Sequence, residues 1–141
     1  MNLSELIKEG RIREFDAEPE EVVQTLGLAE RDLKTANSIL ENDQDWAFNI
    51  AYNAILQSVR ALMFSKGYRP AGESQHITVV RFAEAVLGNK FSEDIDFFDR
   101  MRKKRHQAVY DSAGIISRHE AEEAIKIAEE FVEKVKEMAN K

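Results

Sequence analysis

Asp45-Trp46-Ala47-Phe48-Asn49-Ile50-Ala51-Tyr52-Asn53-Ala54-Ile55-Leu56-Gln57-Ser58-Val59-Arg60-Ala61-Leu62-Met63-Phe64-Ser65-Lys66 is apolar on nearly every side when wound as an α-helix. A helix of that kind does not lie on a surface. It belongs at the centre of a bundle, touched by several neighbours, with Trp46, Phe48 and Tyr52 read as core aromatics rather than as a base-stacking platform. Its uncharged part, Trp46 to Val59, is 14 residues long, short of the roughly 20 that a bilayer requires.

The flanking segments supply the neighbours. Pro19 to Asn42 carries Val22, Leu26, Ala29, Leu33, Ala36 and Leu40 at alternating steps of four and three, one narrow stripe suited to bundle packing. Pro19 fits the first turn of that helix. Beyond Lys66, Gly67-Tyr68-Arg69-Pro70-Ala71-Gly72 reads as a loop. Ser74 to Leu87 then places Ile77, Val80, Ala83 or Glu84, and Leu87 on one side, and Gly88-Asn89 ends it. A fourth helix runs from Phe91 to about Asp111, with Gly114 as the next stop. Ser117-Arg118-His119-Glu120 reads as a capping box that opens a last helix to near Met138. Its stripe is Ala121, Ala124, Ile125, Ala128, Phe131, Val132, Val135 and Met138. The first 13 residues predict a short amphipathic helix through Leu3, Leu6 and Ile7. No stretch alternates apolar and polar residues long enough to demand a strand. Short connections favour antiparallel neighbours. The expected fold is therefore all-α: an antiparallel up-and-down bundle of four to five helices plus a short N-terminal helix. One domain over 1–141 is expected, with 1–18 as an N-terminal extension.

The 141 residues include 20 Lys+Arg against 26 Asp+Glu, a formal charge of −6, and no cysteine. A chain without cysteine has no disulfide framework, no Cys-ligated zinc and no thiol nucleophile. The acidic balance argues against a coat of charge for nonspecific nucleic-acid binding. The start, Met1-Asn2-Leu3-Ser4-Glu5, opens no apolar run of the secretory type, so a cytoplasmic location with no membrane contact is expected. The three histidines, His76, His106 and His119, form no metal-binding spacing. His76 sits at a helix start and reads as a capping or packing residue, and His119 lies in an exposed first turn. There is no phosphate loop, dinucleotide fingerprint or nucleophile elbow. Neither a metal nor another cofactor is expected.

One helix departs from this pattern. In Arg100-Met101-Arg102-Lys103-Lys104-Arg105-His106-Gln107-Ala108-Val109-Tyr110-Asp111, five of the first six residues are cationic. Removing those five charges from the total of −6 leaves −11 on the rest of the chain. On the helix, Phe91, Ile95, Phe98 and Val109 share a stripe, and Arg102 and Arg105 fall inside it. A guanidinium on the core-facing side costs free energy unless it is paired or faces a cleft. Beside the stripe, Asp99, Arg102 or Lys103, His106 and Tyr110 stack at intervals of three and four. Arginine forks suit phosphate oxygens, and histidine moves protons near neutral pH. The plainer alternative is a solvated basic face, with Arg102 paired to Asp99 or to an acid on a neighbouring helix.

Three stretches together resemble the HEPN domain family (higher eukaryotes and prokaryotes nucleotide-binding), in its small stand-alone prokaryotic form. The first is Ala47 to Gln57 running into Arg60-Ala61-Leu62-Met63 and Gly67-Tyr68-Arg69-Pro70. The second is Gln75-His76 with the helix bearing Phe82 and Leu87. The third is Arg102 to Asp111 followed by Ala113-Gly114-Ile115-Ile116-Ser117. The resemblance implies an all-α bundle and a homodimer in which two copies of the basic helix line one cleft. It also implies a place for RNA or a nucleotide, and a partner nucleotidyltransferase in a toxin–antitoxin pair. Ribonuclease members carry an arginine, then four to six residues, then a histidine, and are thought to cut RNA without a metal. Arg105 takes the arginine place, His106 the next, and Tyr110 stands where the histidine belongs. A phenol, with an ordinary pKa of about 10, is a poor general base near neutral pH. The catalytic candidates are Arg105, His106 and Tyr110, and the substrate-binding candidates are Arg102, Lys103 and Asp99. Three functions compete: an RNA- or nucleotide-phosphate binder, a metal-independent ribonuclease, and a non-catalytic docking subunit.

Overall fold

The computed structural model describes residues 1–111 and 113–140; Ser112 and Lys141 lie outside the described residues. The elements in chain order are α1 (Leu3–Lys8), β1 (Ile12–Glu14), α2 (Pro19–Ile39), α3 (Gln44–Ser65), β2 (Tyr68–Pro70), α4 (Gln75–Leu87), a 3-10 turn (Asn89–Phe91), α5 (Ser92–Tyr110) and α6 (Arg118–Ala139). The mostly helical fold matches the expectation. Its boundaries have local causes. Asn2, Glu18 and Ser117 each close a capping box with a glutamate three residues on, and Pro19 begins α2. Gly88 ends α4 at φ 72, ψ −166, a backbone state essentially reserved for glycine.

The apolar run from Asp45 to Lys66 forms α3, and it lies at the centre. Ala51, Tyr52, Ala54, Ile55, Val59, Ala61, Leu62 and Met63 have no exposed surface. Helices α2, α6, α5 and α4 all pack against it. Polar ties report the directions. Lys136 to Glu30 (2.9 Å) and Asn37 to Glu129 (3.2 Å), with Arg118 on Glu41, run α2 antiparallel to α6. Lys134 to Asp94 (3.0 Å) and Lys104 to Glu120 (2.6 Å) run α5 antiparallel to α6. Exposed pairs of this kind set alignment more than stability. Asp45, in the first turn of α3, accepts from the backbone N–H of Gly114 (2.6 Å) and of Ile116 (3.2 Å). That clamp ties Gly114 and Ile116, just ahead of α6, to the start of α3.

The structure corrects the sequence reading in four places. First, there is a sheet: β1 pairs antiparallel with β2, Ile12 opposite Pro70 and Glu14 opposite Tyr68. Strands of three residues are too short to show a period, and their pairing spans more than fifty residues of chain. The segment read as a loop after Gly67 therefore contains β2. Second, the N-terminal helix stops at Lys8, because the chain turns at Gly10 (φ 72) to enter β1. Leu6 and Ile12 are nevertheless buried in the main core. Third, Trp46 is 55% exposed rather than a core aromatic. It lies in the first turn of α3, where Ala47 and Phe48 take the inward positions. Fourth, Val109 is exposed, and the buried line of α5 runs through Ile95, Phe98, Met101 and Ala108. Arg105 sits between the last two.

Candidate phosphate-binding site

The inner side of α5 meets α3 and α4 at a polar cluster. Phe98 has no exposure and packs against Tyr52 of α3, ring centroids 5.5 Å apart, and against Phe131 of α6 at 6.1 Å. Two turns further along α5, the half-buried Arg105 lies over the Tyr52 ring at 5.5 Å, a cation–π contact. The Tyr52 hydroxyl is 2.8 Å from His76 Nδ1, and the two rings stack. His76 stands in the first turn of α4, which begins after Ser74 in the left-handed region at φ 56.

The protonation of this pair follows from burial. Tyr52 is fully buried and its hydroxyl has one protein partner among the described residues, His76 Nδ1. If Nδ1 carried the proton, the buried phenol O–H would be left without an acceptor, at the cost of an unmade hydrogen bond. The phenol therefore donates to Nδ1, and the imidazole proton resides on Nε2. Burial pushes the Tyr52 phenol well above its ordinary range, with Arg105 and then Arg102 opposing more weakly. Burial, then the charges of Arg105, Arg102 and Arg60, hold His76 below its ordinary value of 6.5. His76 is thus neutral near pH 7, and three guanidiniums lie close enough to its ring to keep it so.

That shift has a measurable consequence. As pH falls below about 6.5, the unfolded chain protonates at His76 before the folded one does. Stability is therefore lost with acidification in that window, and this contribution is absent above it. Urea unfolding at pH 7.5 and pH 5 should show a smaller acid-side loss for His76→Gln than for the unaltered chain.

The other candidates divide between two sides of α5. Arg102 donates to Asp99 through Nε at 2.9 Å, and its Nη2 lies at the same distance. Lys103 adds a longer contact to the same carboxylate at 3.6 Å. Asp99 thus neutralises part of the basic run, as the plainer reading of Arg102 anticipated. Lys104 is engaged by Glu120. His106 and Tyr110 are exposed and stack on each other, ring centroids 4.8 Å apart. Arg105 and Tyr110, five residues apart, project about 140° from each other around the helix. Within one chain, Arg105 faces Tyr52 and His76, while His106 and Tyr110 face outward. Sequence reasoning treated Tyr52 as core only and His76 as a weak signal. Neither motif spacing nor periodicity links them, since they lie on different helices 24 residues apart. Among the described residues, no three histidine or acidic side chains gather as a metal site would require, and no helix is long and apolar enough to cross a membrane.

Comparison with known proteins places this architecture. No curated protein matches the chain. Among solved structures, the crystal structure of TT1696 from Thermus thermophilus is similar, with a TM-score of 0.65 and 24% identity over 84% of this chain and 98% of that one. At that identity the likeness is one of fold. The family model described as the HEPN domain matches residues 4–138, nearly the whole length. With the helical bundle and the basic helix already in view, that match settles the family: the chain belongs to the HEPN domain family.

Proposed function

We propose that this HEPN-type module binds phosphate groups of RNA or a nucleotide along the inner seam of α5, in a cleft lined by two copies of the chain. Its setting would be a toxin–antitoxin or nucleotidyltransferase-partner system. Arg105 is the observation that carries the reading. In a chain of net charge −6, this half-buried guanidinium has no carboxylate within ion-pair distance among the described residues. Its contact is the Tyr52 ring, beside a neutral histidine. A part-buried cation without an anion is costly, and a phosphate oxygen supplies the missing charge in a geometry that a guanidinium fork matches. Arg102, held by Asp99, extends the positive seam, and the exposed Lys103 adds charge from the outer side of the same helix. The exposed Val109 and Tyr110 at the end of α5 suit contact with a second copy.

Binding of single-stranded RNA measured across a salt series tests the reading. The affinity should fall as salt rises, and Arg105→Ala should weaken binding about tenfold while reducing the salt slope by about one. No binding of any RNA or nucleotide at low salt would refute it.

A second reading is RNA cleavage by Arg105, His106 and Tyr110. The exposed His106–Tyr110 stack favours it, because an outward imidazole is free to reach a scissile phosphate lying against Arg105 of another copy. Incubating RNA with the protein in the presence of a chelator, beside His106→Ala, distinguishes the two: equal background for both proteins leaves binding without cleavage.

A further inference from the structure

Behind the α5 seam lies a second concentration of positive charge that neither reading uses. Arg60 of α3 is half-buried, hydrogen-bonded to Gln57 Oε1 (2.9 Å) and placed over the Phe64 ring. Arg69 of β2 lies over Phe15, with its Nε buried and without a hydrogen-bond partner among the described residues. Burial, then the charge of Arg69, depresses the pKa of Arg60, so the two guanidiniums are close and mutually repelling. Among the described residues neither has a carboxylate within ion-pair distance. Arg60 also acts on His76 from one side while Arg105 and Arg102 act from another. Beside Arg60 and His76 opens a cleft of about 220 Å³, lined by Leu56, Arg60, Pro70, Gln75, His76 and Val79.

We propose that this cleft is a binding site for a terminal phosphate, the phosphomonoester end of an RNA strand or nucleotide, with Arg60 and the Nε2–H of His76 as its donors. Three physical arguments support it. The first is charge. Arg60 lines the cleft and Arg69 is close enough to repel it, and neither part-buried cation has a counter-ion among the described residues. A phosphomonoester brings about −1.5 to −2 at pH 7, whereas an internal diester brings one negative charge. The second is size. The cleft is smaller than the roughly 300–1,000 Å³ of pockets that enclose whole ligands. It suits a phosphate group, with the remainder of the molecule outside along the seam. The third is hydrogen bonding. Tyr52 fixes the tautomer, so the other ring nitrogen of His76 presents a donor. The groups facing that imidazole are Tyr52 and Arg60 from α3 and Arg102 and Arg105 from α5; Asp99 is occupied by Arg102 and Lys103. A dianion seated here offsets the field of the three arginines around His76, so binding should draw the His76 pKa upward.

The proposal rests on the reading of α5 as a phosphate seam for the rest of the ligand, but on different residues for its end. The test compares short single-stranded RNAs that differ in their ends: 5′-phosphate, 3′-phosphate, or hydroxyl at both. One phosphorylated form should bind about tenfold or more tightly than the unphosphorylated one, and Arg60→Gln should bring that ratio towards one. Preference for either end supports the site and identifies which end enters. Equal affinity for all three overturns the terminal-phosphate site and leaves the α5 seam intact. Failure of all three to bind refutes the seam, and a measurement on the unaltered protein then decides the cleft. Titrating inorganic phosphate while following the imidazole carbon–proton NMR signals should shift His76 saturably, and not His119. An unmoved His76 signal in that titration overturns the site, and that readout does not depend on the Arg60 variant folding.

Discussion

Phe98→Ala is expected to lower the unfolding free energy by about 3–5 kcal/mol, the usual cost of removing a fully buried aromatic ring. Phe98 has no exposed surface and bridges three helices, touching Tyr52 of α3 and Phe131 of α6 from its place on α5. Truncation loses the transfer energy of the ring. It also leaves a cavity that Tyr52 cannot fill without giving up its hydrogen bond to His76. Total stabilities of small domains are only about 5–15 kcal/mol, so the variant should populate the unfolded state at modest denaturant. Urea unfolding followed by circular dichroism measures it. A loss below about 1 kcal/mol would show that α5 is not seated through this ring, and the inward placement of Arg105 would fall with it.

The second large effect concerns binding. The double variant Arg102→Ala/Arg105→Ala should weaken RNA binding at low salt by at least about 100-fold. Each hydrogen bond from a charged donor to a phosphate contributes about 1.5–3 kcal/mol, and about 1.4 kcal/mol corresponds to a factor of ten. Lys34→Ala, an exposed charge on α2, is the control and should leave the affinity nearly unchanged. Equal losses for the double variant and for Lys34→Ala would reduce the seam to nonspecific attraction. The two predictions are linked through one helix: Phe98 holds α5 against the core, and Arg105, two turns on, depends on that seating to lie over Tyr52 rather than in solvent.

Much of the bundle was legible because helical periodicity is a local property. The stripe of α2, the all-round apolarity of α3 and the capping box of α6 each follow from residues within a few turns of one another. The same locality explains what was missed. The β1–β2 pairing joins Ile12 to Pro70, and no local pattern announces a pair of three-residue strands. Trp46 shares the apolar character of its helix, but its position in the first turn leaves it beyond the neighbours that cover the turns after it. Val109 and Ala108 differ by a single helical step. The tertiary packing decided that alanine takes the inward place.

The site shows the same division. The sequence by itself determined that positive charge is concentrated in one helix of an acidic chain, and that Arg102 and Arg105 fall on or near its buried side. Charge counts and helical angles need nothing beyond the order of residues. Only the tertiary structure decided which groups those arginines meet. Asp99 holds Arg102 from one turn away, but Arg105 finds Tyr52 from α3, and Tyr52 finds His76 from α4. It also brought Arg60 and Arg69 together behind the seam. These meetings depend on how three helices and a short two-stranded sheet pack. Burial is what gives them chemical weight. It fixes the imidazole tautomer, keeps His76 neutral and leaves guanidiniums beyond the reach of any carboxylate among the described residues. A basic run in a sequence is a quantity of charge; the packing of α3 and α4 against α5 decides which of its cations are half-buried and which groups they meet.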